Sequence, residues 1–148
     1  MQDVTQPPAT SPAMLLVLLG RRLRERMDAE LREQGLSLRH MSALGHLAGG
    51  PGLSYSELAR RARITVQSMQ STLAQLEAMG AIERRTEPGR GRTAELHVTG
   101  TGAALLAKGR EIVRATDEQL VSALGEDEHA LTTMLLRALS ASAGPAAP

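Results

Sequence analysis

The chain has 148 residues, 42% of them hydrophobic and 22% charged, with a formal net charge of +1. That is the balance of one globular domain large enough to close a core unaided, not of a disordered or fibrous chain. Cysteine is absent and Tyr55 is the only aromatic residue. This excludes a disulfide scaffold, cysteine-ligated zinc, a thiol nucleophile and base stacking on aromatic platforms.

Residues 1–10 lack periodicity and read as a loose arm, and residues 143–148 as a tail. Ser11-Pro12 starts a helix in which Leu16, Leu19, Leu23, Met27 and Leu31 form a stripe, ended at Gly35. The apolar run Ala13–Leu19 is too short to cross a bilayer. Its arginines follow it, opposite to a secretory signal, so a cytoplasmic protein without membrane contact is expected. Ser37 caps a second helix with Leu38, Met41, Leu44 and Ala48 on one face, broken at Gly49-Gly50-Pro51-Gly52.

Ser54-Tyr55-Ser56-Glu57 has the spacing of a capping box, and a short helix with Leu58 and Ala62 inward follows. Arg63-Ile64 is a turn. Thr65 caps the next helix, which runs to Met79 and stops at Gly80. Strands are expected at 81–86 and 94–98, joined by a loop rich in glycine and arginine. A helix from Thr99 to Leu124 follows, with Leu105, Leu106, Ile112, Val113, Leu120 and Leu124 apolar. The last helix, 127–142, turns Leu131, Met134, Leu135, Ala138 and Leu139 inward. The fold class is mainly α with a small β-hairpin wing, the outline of a winged helix-turn-helix flanked by long helices.

The helix from Thr65 to Met79 carries the chemistry. Met69, Thr72, Leu73 and Leu76 gather on one side. Gln67, Ser71, Ala74 and Ala78 lie opposite, with Ser68 and Gln75 on one edge and Gln70 on the other. A solvent-facing helix usually carries Glu and Lys pairs, but here the first charge is Glu77. Amides and hydroxyls among small residues suit close approach to base edges in a major groove. Seven arginines and five glutamates fall in 54–98, so this segment nets +2. Taken singly, Arg60 and Arg84 read as solvated surface charge. With Arg61, Arg63, Arg90 and Arg92 they surround the helix with candidate phosphate contacts. Arg90 and Arg92 sit beside Gly89 and Gly91 at a loop tip, with no packing reason to be there, and a narrow minor groove attracts arginine.

The stretches Ser56-Glu57-Leu58-Ala59 to Ile64-Thr65, Leu73-Ala74-Gln75-Leu76-Glu77-Ala78-Met79-Gly80-Ala81-Ile82-Glu83-Arg84, Leu96-His97-Val98-Thr99 and Gly35-Leu36-Ser37-Leu38 resemble the multiple-antibiotic-resistance regulator (MarR) family over about residues 12 to 140. The resemblance implies a homodimeric bacterial transcription regulator, usually a repressor, that binds double-stranded DNA. It assigns residues 11–34 and 99–142 to dimerisation and 35–98 to DNA binding. It places the recognition helix in the major groove and Arg92 in the adjacent minor groove. Arg90 stands where the family usually has an aspartate that pairs within the wing. It either contacts DNA or merely replaces that aspartate. The missing cysteine separates the chain from the thiol-sensing branch.

The resemblance also implies a small anionic, often phenolic, effector between the dimer helices and the DNA-binding lobe. Arg22 or Arg26 with His40 could pair a carboxylate there. The competing role for these arginines is in intersubunit salt bridges, and for His40 that of an ordinary, partly buried residue. His46 lies on the polar side of its helix. No cofactor or metal is expected: His40, His46, His97 and His129 are scattered, and Gly100-Thr101-Gly102 is a helix start without a nucleotide fingerprint. An enzyme is therefore not indicated. The other class to weigh is a winged-helix protein-interaction or architectural dimer without a specific operator.

Overall fold

The structure is a computed structural model that describes residues 11–85, 95–125 and 127–143. The described chain forms two compact units, one up to Ile112 and one from Val113. The first contains α1 (Pro12–Glu33), α2 (Leu38–Gly49), α3 (Tyr55–Ala62), α4 (Val66–Ala78), β1 (Ile82–Arg85), β2 (Glu95–Val98) and the first half of α5 (Gly100–Leu124). The second contains the rest of α5 and α6 (Glu128–Ser142).

Side-chain caps start the helices. Ser11, Ser37, Ser54 and Thr65 accept from the backbone N–H groups of Met14, His40, Glu57 and Ser68, satisfying donors that the helix itself leaves open. α1 ends in a left-handed turn: Gly35 has φ +73° and Leu36 N–H returns to the Leu31 carbonyl at 2.9 Å. At the end of α3 the same conformation falls on Arg63, at φ 54°, which is unusual for a residue with a Cβ.

The core of the first unit is aliphatic. Ala43, Leu44 and Leu47 of α2, Leu58 and Ala59 of α3, and Met69, Leu73 and Leu76 of α4 are buried with Ala81, Ile82, Leu96 and Leu106. The face of α2 differs from the expected one. Ala48 is exposed, while His40, Ala43 and Leu47 join Leu44 inside. The reason is that α2 is packed from several directions. Its buried arc meets α3 and α4, and Met41 lies against Gly109 of α5, so one stripe counted from Leu38 finds only an edge of that arc.

β1 and β2 pair antiparallel, Ile82 opposite Val98 and Arg85 opposite Glu95. The Gly-rich break before α3 does more than turn the chain: Gly52, at φ +81°, donates its N–H to the Leu96 carbonyl at 3.1 Å and ties that loop to β2. Thr99 joins the hairpin to α5. Its hydroxyl donates to the Gly80 carbonyl at 2.5 Å and accepts from Gly102 N–H at 3.1 Å. Gly102 is buried against the Ala81 carbonyl and Val98.

Burial along α1 rises from its start to its end. Leu16 is exposed, Leu19, Leu23 and Met27 are half-buried, and Leu31 is fully buried. Met14, Leu15, Val17 and Leu18 are also exposed. In the second unit, α6 buries no residue. Met134 is 63% and Leu139 66% exposed, and Leu135 and Ala138 are also exposed, against the expectation that they point inward. Among the described residues nothing covers them. Among the described residues, no helix is long and apolar enough to cross a membrane. The expected arm 1–10, the hairpin loop with Arg90 and Arg92, and the tail beyond Ala143 lie outside the described residues.

Gly102→Ala should destabilise the protein by about 1–3 kcal/mol, because its Cβ would meet backbone that cannot step aside. Gly45→Ala, in α2 with open space at its Cβ, should instead stabilise by about 0.5–1 kcal/mol. Denaturant melts of the two variants check the pair; equal effects would contradict the packing at Gly102.

Candidate nucleic-acid interface

α4 is held by one side. Met69, Thr72, Leu73 and Leu76 are buried, and Thr72 also donates its hydroxyl to the Ser68 carbonyl at 2.9 Å. The opposite side is left exposed, with Gln67, Gln70, Ser71, Ala74, Gln75 and Ala78 on it. Ser68 is half-buried, and Thr65 is exposed at the cap. The Thr65 hydroxyl accepts from Ser68 N–H at 3.1 Å and donates to Ser68 Oγ at 2.9 Å, so it is committed to starting the helix. The side chains of Gln67, Gln70 and Ser71 have no hydrogen-bond partner among the described residues. They present free donors and acceptors on a surface without charge.

Gln75 is different. Its Oε1 lies 2.8 Å from His40 Nε2, across from the start of α2. His40 is itself buried, and its Nδ1 accepts the Ser37 N–H at 3.1 Å while Ser37 Oγ accepts from His40 N–H at 3.2 Å. This is a capping box with histidine in the place usually taken by Glu or Gln. Both ring nitrogens are occupied, so His40 has none left for an effector carboxylate. The sequence offered no sign of the Gln75 contact, which spans 35 residues.

The arginines are mostly held by carboxylates. Glu57 accepts from Arg60 Nη2 at 2.6 Å and from Arg61 Nε at 3.2 Å. The Glu57 side chain therefore does not return to its own helix start, and only the Ser54 half of that expected capping box forms. The Arg60 bond, then the Arg61 bond, holds the Glu57 carboxyl below the usual carboxylate range, and Glu57 raises Arg60 in turn. Arg84 pairs with Glu77 at 3.3 Å and lies over the Tyr55 ring, 5.5 Å from its centroid. Composition alone gave Tyr55 no part, yet it supports this guanidinium. Arg85 pairs with Glu83 at 2.9 Å. Arg63, at the left-handed turn, pairs with no carboxylate among the described residues. Exposed pairs of this kind are weak, so a phosphate could take the place of the carboxylate at little cost.

The three residues considered for an effector do not converge. Arg22 borders an apolar groove on α1 with Leu15, Leu18 and Leu19. Arg26 pairs with Glu30 along its own helix at 3.4 Å. His40 is committed as described. A separate groove of about 290 Å³ lies between α1, α2 and the α3–α4 turn, with Ala62, Ile64 and Met69 as apolar lining and Arg24, Arg39 and Ser42 as polar groups. Among the described residues, no group of three or more His, Cys, Asp or Glu could hold a metal ion.

Residues 34–93 match the family model described as MarR family. The chain is 37% identical over 110 residues to the HTH-type transcriptional repressor Rv2887 of Mycobacterium tuberculosis, covering 74% of this chain and 79% of that protein. It belongs to the MarR family. Two solved structures of Rv2887 superpose closely, both at 32% identity. One is a complex with DNA, at a TM-score of 0.72 over 86% of this chain and 97% of that one. The other is a complex with salicylic acid, at a TM-score of 0.69 over 89% and 98%. As a MarR-family member the chain is a winged-helix, DNA-binding transcriptional regulator and not an enzyme.

The Glu57 pairing gives a pH prediction. A carboxyl held below its unfolded value contributes stability above that value and loses it as pH falls through the folded one. Glu57→Gln should therefore melt below the native chain at neutral pH, with the gap closing under acid. A gap that is constant from pH 7 down to pH 3 would contradict the pairing.

Proposed function

We propose that the chain acts as a homodimeric repressor of pseudo-palindromic operators and is released by a small aromatic acid. The observation that carries the operator-reading part is the exposed α4 face. Gln67, Gln70 and Ser71 stand there uncommitted, while the opposite side is fixed in the core. Thr65, Ser68 and Gln75 flank these readers. Arg60, Arg61, Arg63 and Arg84 serve as phosphate contacts, the paired ones exchanging glutamate for phosphate. Arg92 enters the minor groove, and Arg90 either adds a DNA contact or replaces the family's wing aspartate. The DNA complex of Rv2887 supports DNA as the partner.

Homodimerisation answers the uncovered apolar residues. Met14–Leu18 of α1, and Met134, Leu136 and Leu139 of α6, are more than a monomer usually exposes. Two lobes related by a two-fold axis read half-sites roughly 10 bp apart. For the effector, the salicylic acid complex of Rv2887 supplies the ligand class. The groove with Arg24, Arg39 and Ser42 suits it better than Arg22, Arg26 and His40 do: an aromatic ring meets Ile64 and Met69 while a guanidinium meets the carboxylate.

Gel shifts with DNA flanking the chain's own gene test this reading. Specific binding should survive competitor DNA, weaken steeply with salt and be released by salicylate at millimolar concentration. Binding that competitor removes at every salt concentration would leave an architectural role. Specific binding that no aromatic acid alters would remove the effector.

A further inference from the structure

The geometry points to His40 as the positioning residue that decides which end of the Gln75 amide meets DNA, an inference that rests on the operator-reading role of α4. Ser37 N–H can only donate, so His40 Nδ1 must offer it a lone pair. The neutral ring then carries its proton on Nε2 and donates it to Gln75 Oε1 at 2.8 Å. The Gln75 oxygen is thereby turned inward, and its NH2 group is what the exposed edge of α4 has left to offer. Gln75 then meets DNA through its NH2 group, with one lone pair of its oxygen already taken, unlike Gln67, whose whole amide is free. Its partner is an acceptor, either a purine N7 or O6 or a phosphate oxygen.

The same ring sits in a chain of contacts from one long helix to the reading helix. Asp28 of α1 accepts from Leu38 N–H at 3.4 Å at the start of α2, the turn that His40 closes. The α2 start that fixes the histidine is therefore itself fixed by α1.

The test is a double-mutant cycle on the full chain, read on the operator that the native protein selects from random DNA. His40→Gln keeps an acceptor for Ser37 and a donor for Gln75, and should bind within about twofold of the native chain. His40→Glu keeps the capping box but has no proton to donate, so the Gln75 amide turns over and presents its oxygen. It should lose about tenfold in affinity. Gln75→Ala should lose a similar factor, and the double variant no more than Gln75→Ala alone. If the acceptor is a base, His40→Glu and Gln75→Ala change preference at the same operator position. If it is a phosphate, both weaken all sequences alike. A His40→Glu loss that persists in full when Gln75 is alanine would overturn the inference. So would nitrogen NMR of the native, DNA-free protein that finds the His40 proton on Nδ1. A native chain that selects no operator would be a different failure, visible before any variant is made. It would overturn the operator-reading role and this inference with it.

Discussion

The burial of one side of α4 is the constraint on which the rest depends. Met69, Leu73 and Leu76 are each almost wholly removed from water, worth about 1.5–3 kcal/mol apiece against exposure. Thr72 shares that side, and spends its hydroxyl on the Ser68 carbonyl so that it can be buried there. A helix fixed this way cannot roll about its axis without exposing leucine. The orientation of Gln67, Gln70 and Ser71 is therefore a consequence of the core. What this face presents is set by packing on the other.

The surrounding groups fall into two classes by the same logic. Gln67, Gln70 and Ser71 are uncommitted and available to a partner. Arg60, Arg61, Arg84 and Arg85 are poised but satisfied, each resting on a glutamate in the absence of a partner. That arrangement neutralises the guanidinium groups locally while holding them near α4. It also explains why the +2 balance of residues 54–98 understates what this surface could offer a phosphate backbone. Exposed ion pairs are cheap to exchange.

Local chemistry decided within a few residues was mostly legible in the sequence, Glu57 being the exception. The caps at Ser11, Ser37, Ser54 and Thr65, the stop at Gly35 and the buried side of α4 all follow from short spacings, and all form. The MarR resemblance, carried by residues around α3, α4 and the hairpin, matched the family too. Contacts decided across the chain were not legible. His40 looked like a partly buried histidine near a cleft, but its ring is taken by Ser37 and by Gln75, 35 residues away. Glu57 fitted a capping box, yet two arginines one turn on compete for it more strongly than a backbone N–H does. The α2 face was misjudged at Ala48 because periodicity assumes one neighbour where there are several. The α6 residues Met134, Leu135, Ala138 and Leu139 were expected inward on their spacing, yet all four are exposed.

The central claim is that the uncharged face of α4 reads bases. Base selection with native and Gln67→Ala protein tests it most directly. The account predicts relaxed preference at one position per half-site, at a cost of roughly 1–3 kcal/mol for the favoured base, with the other positions retained. An unchanged preference at every position would contradict it.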